Sequence, residues 1–218
     1  MVPEMPLHVV QQGEHLASIA EKYGFVDYRT IWDHAQNREL KQKRQDPNIL
    51  FPGDEVFIPD RNPKEYEGET EQRHTFQVKK RPLKLRLVLR DFTNQPLAQA
   101  QCELQVAGAS HALTADGDGK IEQTIPPSAA DATLTVRDSN GQIVMHLGLR
   151  IGSLDPIEES TGRRARLNNL GYDAGPIGQE DDRKLRSAIE AFQRENRLHI
   201  DGDCGPQTQA KLKEAHGC

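Results

Sequence analysis

Hydrophobic residues change their spacing twice along this chain of 218 residues. Near the start, Leu16, Ile19, Ala20 and Tyr23 fall at i, i+3, i+4 and i+7, on one face of a helix. Between 83 and 150 the period becomes two: Leu83, Leu85, Leu87 and Leu89 alternate with Lys84, Arg86, Val88 and Arg90. The same alternation carries through Cys102, Leu104 and Val106, through Leu134 and Val136, and through Met145, Leu147 and Leu149. Beyond 157 the helical period returns with Leu185, Ala188, Ile189 and Phe192. A stretch cannot satisfy both periods at once. The two switches therefore predict a multidomain α+β chain with an N-terminal module at 1–60, a charged linker at 61–74, a β-rich domain at 75–152 and a helical domain at 153–218.

Composition agrees with several thin cores rather than one large one, because only 35% of the residues are hydrophobic and 5% aromatic. No apolar run approaches the roughly 18 residues of a membrane span, so no membrane association is expected. The net charge of -5 divides into -4 over 1–60, +1 over 61–154 and -2 over 155–218. None of these is the basic footprint of a nucleic-acid binder. Met1-Val2-Pro3-Glu4-Met5-Pro6 lacks the basic and apolar regions of a secretory leader, so synthesis in the cytoplasm is expected. Cys102, Cys204 and Cys218 are scattered and odd in number, which suits a reducing compartment better than a disulfide framework. No CxxC or HExxH spacing occurs, so neither a metal nor a cofactor is expected.

Local signals give the elements. In the first segment, strands are expected at Leu7-His8-Val9-Val10 and Glu55-Val56-Phe57-Ile58, with two helices between them, the second roughly over 28–36. The charged run from Arg38 to Gln45 reads as part of a connection, and Pro52-Gly53-Asp54 as a turn. This strand–helix–helix–strand order, with His8-Val9-Val10-Gln11-Gln12-Gly13-Glu14-His15-Leu16, Ile19-Ala20-Glu21-Lys22-Tyr23 and Pro52-Gly53-Asp54-Glu55-Val56-Phe57-Ile58-Pro59, resembles a LysM module. The resemblance implies a βααβ fold that binds N-acetylglucosamine-containing glycans such as peptidoglycan. It maps the glycan contacts onto Gly13, Glu14, His15 and Leu16 and onto Asn48, Ile49 and Leu50. Gly13-Glu14-His15 stands where the family usually carries Gly-Asp-Thr, and the charged connection is longer than usual.

In the middle segment, turns at Thr93-Asn94-Gln95-Pro96, Asp116-Gly117-Asp118-Gly119 and Ser139-Asn140-Gly141 separate short strands, which predicts a small antiparallel sandwich. Leu89-Arg90-Asp91, Gln95-Pro96-Leu97-Ala98 and Thr114 to Lys120 resemble carboxypeptidase-regulatory or transthyretin-like β-domains, which implies a spacer or binding scaffold. In the last segment, Leu170-Gly171-Tyr172, Gly175-Pro176-Ile177, Ala188-Ile189-Glu190-Ala191-Phe192-Gln193 and Asp201-Gly202-Asp203-Cys204-Gly205-Pro206-Gln207-Thr208 resemble the three-helix peptidoglycan-binding domain often appended to wall hydrolases. Candidate contacts there are Tyr172, Gln193, Asp201 and Gly202.

Candidate catalytic groups do not assemble into a constellation. Glu14 and His15 adjoin a helix start and read as a cap and a loop residue. Asp116-Gly117-Asp118-Gly119 is an incomplete calcium loop and reads as a hairpin turn. Cys204 would need a positioned base, and His199 is the nearest in sequence. Trp32 and Phe192 sit at helical spacing and read as core, and Lys79-Lys80-Arg81 as a solvated face. The leading expectation is a non-catalytic peptidoglycan-binding protein. Its architecture resembles LysM and peptidoglycan-binding proteins associated with type VI or related contractile secretion machines, which implies delivery to the periplasm. The alternative is a structural adaptor that binds a secretion spike or effector protein.

Overall fold

The computed structural model describes residues 7–61, 70–71, 73, 75, 83–91, 93–138, 140–178 and 181–217. Most of the linker expected at 61–74, the Lys79-Lys80-Arg81 cluster and Cys218 lie outside these residues. The chain divides into two compact units, one of residues 1–48 and 52–153, the other of Leu154–Cys218 together with Ile49–Phe51.

In the first unit, β1 (Leu7–Val9) pairs antiparallel with β2 (Glu55–Phe57), His8 opposite Val56. Between them lie α1 (Leu16–Lys22), α2 (Arg29–Trp32), a 3-10 turn at Ala35–Asn37 and α3 (Arg38–Arg44). Sequence explains α1: Leu16, Ile19 and Ala20 are buried on one face, and His15 and Ser18 close a reciprocal capping box. The charged run from Arg38 departs from expectation. It is helical, so the order is not the simple βααβ expected. Leu40 is its buried anchor, and its basic side chains find acids. Arg44 grips the buried Asp54 with Nε at 2.6 Å and Nη2 at 2.9 Å, Lys43 adds a contact to Asp54 at 3.2 Å, and Lys41 reaches Asp33 at 2.5 Å. Asn37 ties the helices to β2. Its amide donates to the Ile31 and Phe57 carbonyls and accepts the Phe57 N–H, each at 2.8 Å.

The same unit holds two further antiparallel sheets. One pairs β3 (Leu83–Val88) with β6 (Lys120–Ile125). The other, ordered β5-β4-β7-β8, contains β4 (Gln101–Val106), β5 (Ala109–Thr114), β7 (Asp131–Arg137) and β8 (Ile143–Arg150). They share one core of Cys102, Leu104, Val106, Ile121, Ile125, Leu134 and Val136, against which Leu83, Leu85 and Leu87 pack. The period of two accounts for this, since every second side chain of β4 and β7 points inward. Leu147 follows the inward pattern yet is 38% exposed, because β8 ends the sheet among the described residues.

The second unit is built from α4 (Ser160–Asn169), α5 (Arg183–Glu195) and α6 (Pro206–His216). Ile157, Leu167, Ala174, Leu185, Ala188, Ile189, Phe192 and Leu212 form its core. Pro206 opens α6 in the first turn, where a missing N–H leaves no helix bond unmade.

Candidate functional site

Of the N-terminal residues predicted to hold glycan, 13–16 lie beside the segment that leads into Asn48. The Leu16 N–H donates to the Pro47 carbonyl at 3.0 Å, which sets residues 13–16 beside 46–48. Asn48 is exposed and its backbone N–H is held by the Asp46 carboxylate at 2.8 Å. Leu16, Ile49 and Leu50 are buried, and Ile49–Phe51 group with the second unit.

Glu14 is the hub of a polar brace. Its carboxylate meets His8 Nε2 at 2.6 Å, the Gln11 N–H at 3.0 Å and Lys22 Nζ at 3.2 Å. Burial pushes this carboxyl up, but the Gln11 amide, His8 and Lys22 outweigh it and hold it below the usual range. The far side of His8 faces the Tyr23 hydroxyl at 3.2 Å, with the two rings edge to face. His15 is 3% exposed. Its Nδ1 accepts the Ser18 N–H at 3.4 Å, and its ring also bonds the Pro127 carbonyl. Burial depresses its pKa, and the Pro127 carbonyl opposes that shift in part.

The C-terminal candidates converge as well, around Gln193, which is 1% exposed. Its amide nitrogen donates to Asp201 Oδ1 at 2.8 Å, the Asp203 carbonyl at 2.9 Å and Thr208 Oγ1 at 3.1 Å. Its oxygen accepts the N–H groups of Asp201 at 3.1 Å and Gly202 at 3.0 Å. The Asp203 amide, then Gln193 and His199, draw the Asp201 carboxyl down to about 2. Gly202 is buried, and a Cβ there would stand 2.7 Å from Arg186 Cγ. Tyr172 lies half-buried against the end of α5. Its ring packs edge to face on Phe192 and its hydroxyl donates to Glu195 at 2.5 Å. Burial first, and Glu195 second, push its phenol up. Tyr172, Gln193 and the Asp201-Gly202 turn thus cluster around the last two turns of α5.

Asp116 Oδ1 accepts the N–H groups of Asp118 and Lys120, each at 2.9 Å, so the Asp-Gly-Asp-Gly stretch is a turn. Burial pushes the Cys204 thiol up, with Arg163 and Arg166 opposing, and His199 points to Asp201 at 3.3 Å. Among the described residues, no group of three or more His, Cys, Asp or Glu side chains is placed to hold a metal ion, and no helix is long and apolar enough to cross a membrane.

Several structural polar residues escaped the sequence pattern. Arg164 and Arg166 are each 1% exposed. Arg164 donates to the Ala174 carbonyl and pairs with Asp182 at 2.8 Å, and Arg166 donates to the carbonyls of Asp155 at 2.8 Å and Gly162 at 2.9 Å. No periodicity marks them, because most of their partners, the Ala174 and Asp155 carbonyls and the Asp182 carboxylate, come from outside α4.

The C-terminal unit is thus a small three-helix domain with an Asp-Gly turn clamped against its second helix. Residues 164–212 match the family model of a peptidoglycan binding domain. The match lies within the helical unit, and it supports peptidoglycan binding in general. No curated protein and no solved structure matches the chain.

Proposed function

We propose that the chain is a non-catalytic peptidoglycan-binding protein whose helical C-terminal domain is its principal wall contact. The observation that carries this is the family match over 164–212, on a segment that folds as three helices around one core. The glycan-facing surface is the region around the end of α5, where Tyr172 and the exposed Asp201 border the buried Gln193–Gly202 clamp. The N-terminal module is a second glycan-binding element of the LysM type, supported by its motifs and by the adjacency of the 13–16 and 46–48 loops. Two weak sites on one chain raise avidity where both can engage one polymer. Its place of action is the periplasm, reached through a contractile secretion machine, a reading supported by architectural resemblance alone.

Co-sedimentation of the full chain with purified insoluble peptidoglycan tests the proposal. Retention that Tyr172→Ala and Asp201→Ala weaken is the expected result. A chain that stays wholly in the supernatant overturns it, and capture by a secretion spike or effector protein in its place favours the adaptor reading. Release of soluble muropeptides during the incubation would overturn the non-catalytic assignment.

A further inference from the structure

We infer that the β-rich part of the first unit is an intramolecular cover for the loop at the start of α1, and that Gly152 is the residue that lets this cover close. The inference rests on the proposed N-terminal glycan site and states how that site is regulated.

Two segments form the cover. One is the connection between β6 and β7, where the Pro127 carbonyl bonds the His15 ring. The other follows β8, where Gly152 and Ser153 approach Gly13. They are joined by the Ile151 N–H, which donates to the Ala130 carbonyl at 2.7 Å, and anchored by Ala129 and Ile151 in the sandwich core. The loop therefore meets a surface fixed to a packed interior.

The contact has no slack. A Cβ on Gly152 would stand 2.6 Å from the Gly13 carbonyl oxygen and 3.0 Å from His15 Cδ2. The first neighbour is backbone, so no rotamer change relieves it. Gly152 also has φ +75, a conformation that L side chains rarely adopt. Glycine is required there on both counts. His15 Nδ1 already accepts the Ser18 N–H at 3.4 Å, and the Pro127 backbone lies against the same buried ring. Glu14 is engaged by His8, Gln11 and Lys22. A sugar ring approaching Gly13 and His15 meets the Gly152 backbone and finds Glu14 already engaged, so the structure is the closed form of this site.

The test uses the full chain carrying Gly152→Val, and separately His15→Asn. Asparagine keeps the helix cap but has no ring to reach Pro127. Amide hydrogen exchange over residues 13–18 reads the cover. Backbone chemical-shift changes on adding a soluble N-acetylglucosamine hexamer read the site. The expected result is exchange about tenfold faster in both variants, with hexamer-induced shifts at 13–16 and 48 that are absent from the unsubstituted chain. Unchanged exchange in variants whose far-UV circular dichroism is native overturns the cover. Faster exchange with no response to the hexamer shows that the contact exists but guards no glycan site, which overturns the regulation and the N-terminal glycan reading together.

Discussion

Gln193 turns one buried amide into the organiser of a loop that lies eight to fifteen residues away in sequence. Truncating it strands the Asp201 and Gly202 N–H groups and the Thr208 hydroxyl. Gln193→Ala is expected to destabilise the helical unit by about 2–4 kcal/mol, measured by chemical denaturation. Gln193→Glu should be worse, since it sets a second carboxylate against Asp201. A milder residue-scale effect belongs to His216. Its Nε2 faces the Asn169 amide at 3.0 Å. Burial, with Arg166 adding repulsion, draws its pKa down to about 4 from 6.5. Above pH 6.5 the ring is neutral in folded and unfolded chains alike, and the contact is fully present. As pH falls from 6.5 toward 4 the unfolded chain takes up a proton that the folded chain refuses, so stability declines. His216→Gln keeps an acceptor for Asn169, and its melting temperature is expected to fall less steeply over that window than that of the unsubstituted chain.

At the scale of elements, α4 and the β4–β5 hairpin pull local propensity and packing in opposite directions. Gly162 lies within α4, where alanine is intrinsically better by about 1 kcal/mol. Packing decides otherwise, since a Cβ there would stand 2.0 Å from the Pro156 carbonyl oxygen and 2.5 Å from that of Asp155. Gly162→Ala is therefore expected to lower stability by about 2–3 kcal/mol, seen as a lower thermal midpoint at 222 nm. In the hairpin, Ala107 takes φ 50 and Gly108 φ 77. Alanine carries the steric penalty of the left-handed region, so Ala107→Gly is expected to stabilise by about 0.5–1 kcal/mol. Among elements, legibility followed pattern. β1–β4, β7, β8, α1 and α5 were visible because a single period runs through each. β5 and β6 were not singled out, since Ala109-Ser110-His111-Ala112 and Glu122-Gln123-Thr124 carry few apolar side chains. Helix α3 reads as connection in the sequence because Leu40 is its one buried apolar residue, while its basic side chains pair with Asp33 and Asp54.

At the scale of the whole molecule, the sandwich and the helical unit bury separate cores. Phe192→Ala is expected to cost the helical unit about 3–5 kcal/mol while amide protection in β4 and β7 stays unchanged, as hydrogen exchange resolved by segment would show. The sequence by itself determined the alternation of helical and strand-like segments, most turns and the peptidoglycan-binding resemblance of the C-terminal segment. These depend on local spacing and on glycine and proline geometry, which neighbours along the chain express. Only the tertiary structure decided which polar residues are buried. His15, Asn37, Gln193, Arg164 and Arg166 leave water because acceptors and donors from other segments meet them, and such partners leave no periodic trace in the sequence. That physical reason also separates motif from accessibility. The residues of the N-terminal loop can be named from sequence, whereas their coverage by Pro127 and Gly152 arises only where distant strands end side by side.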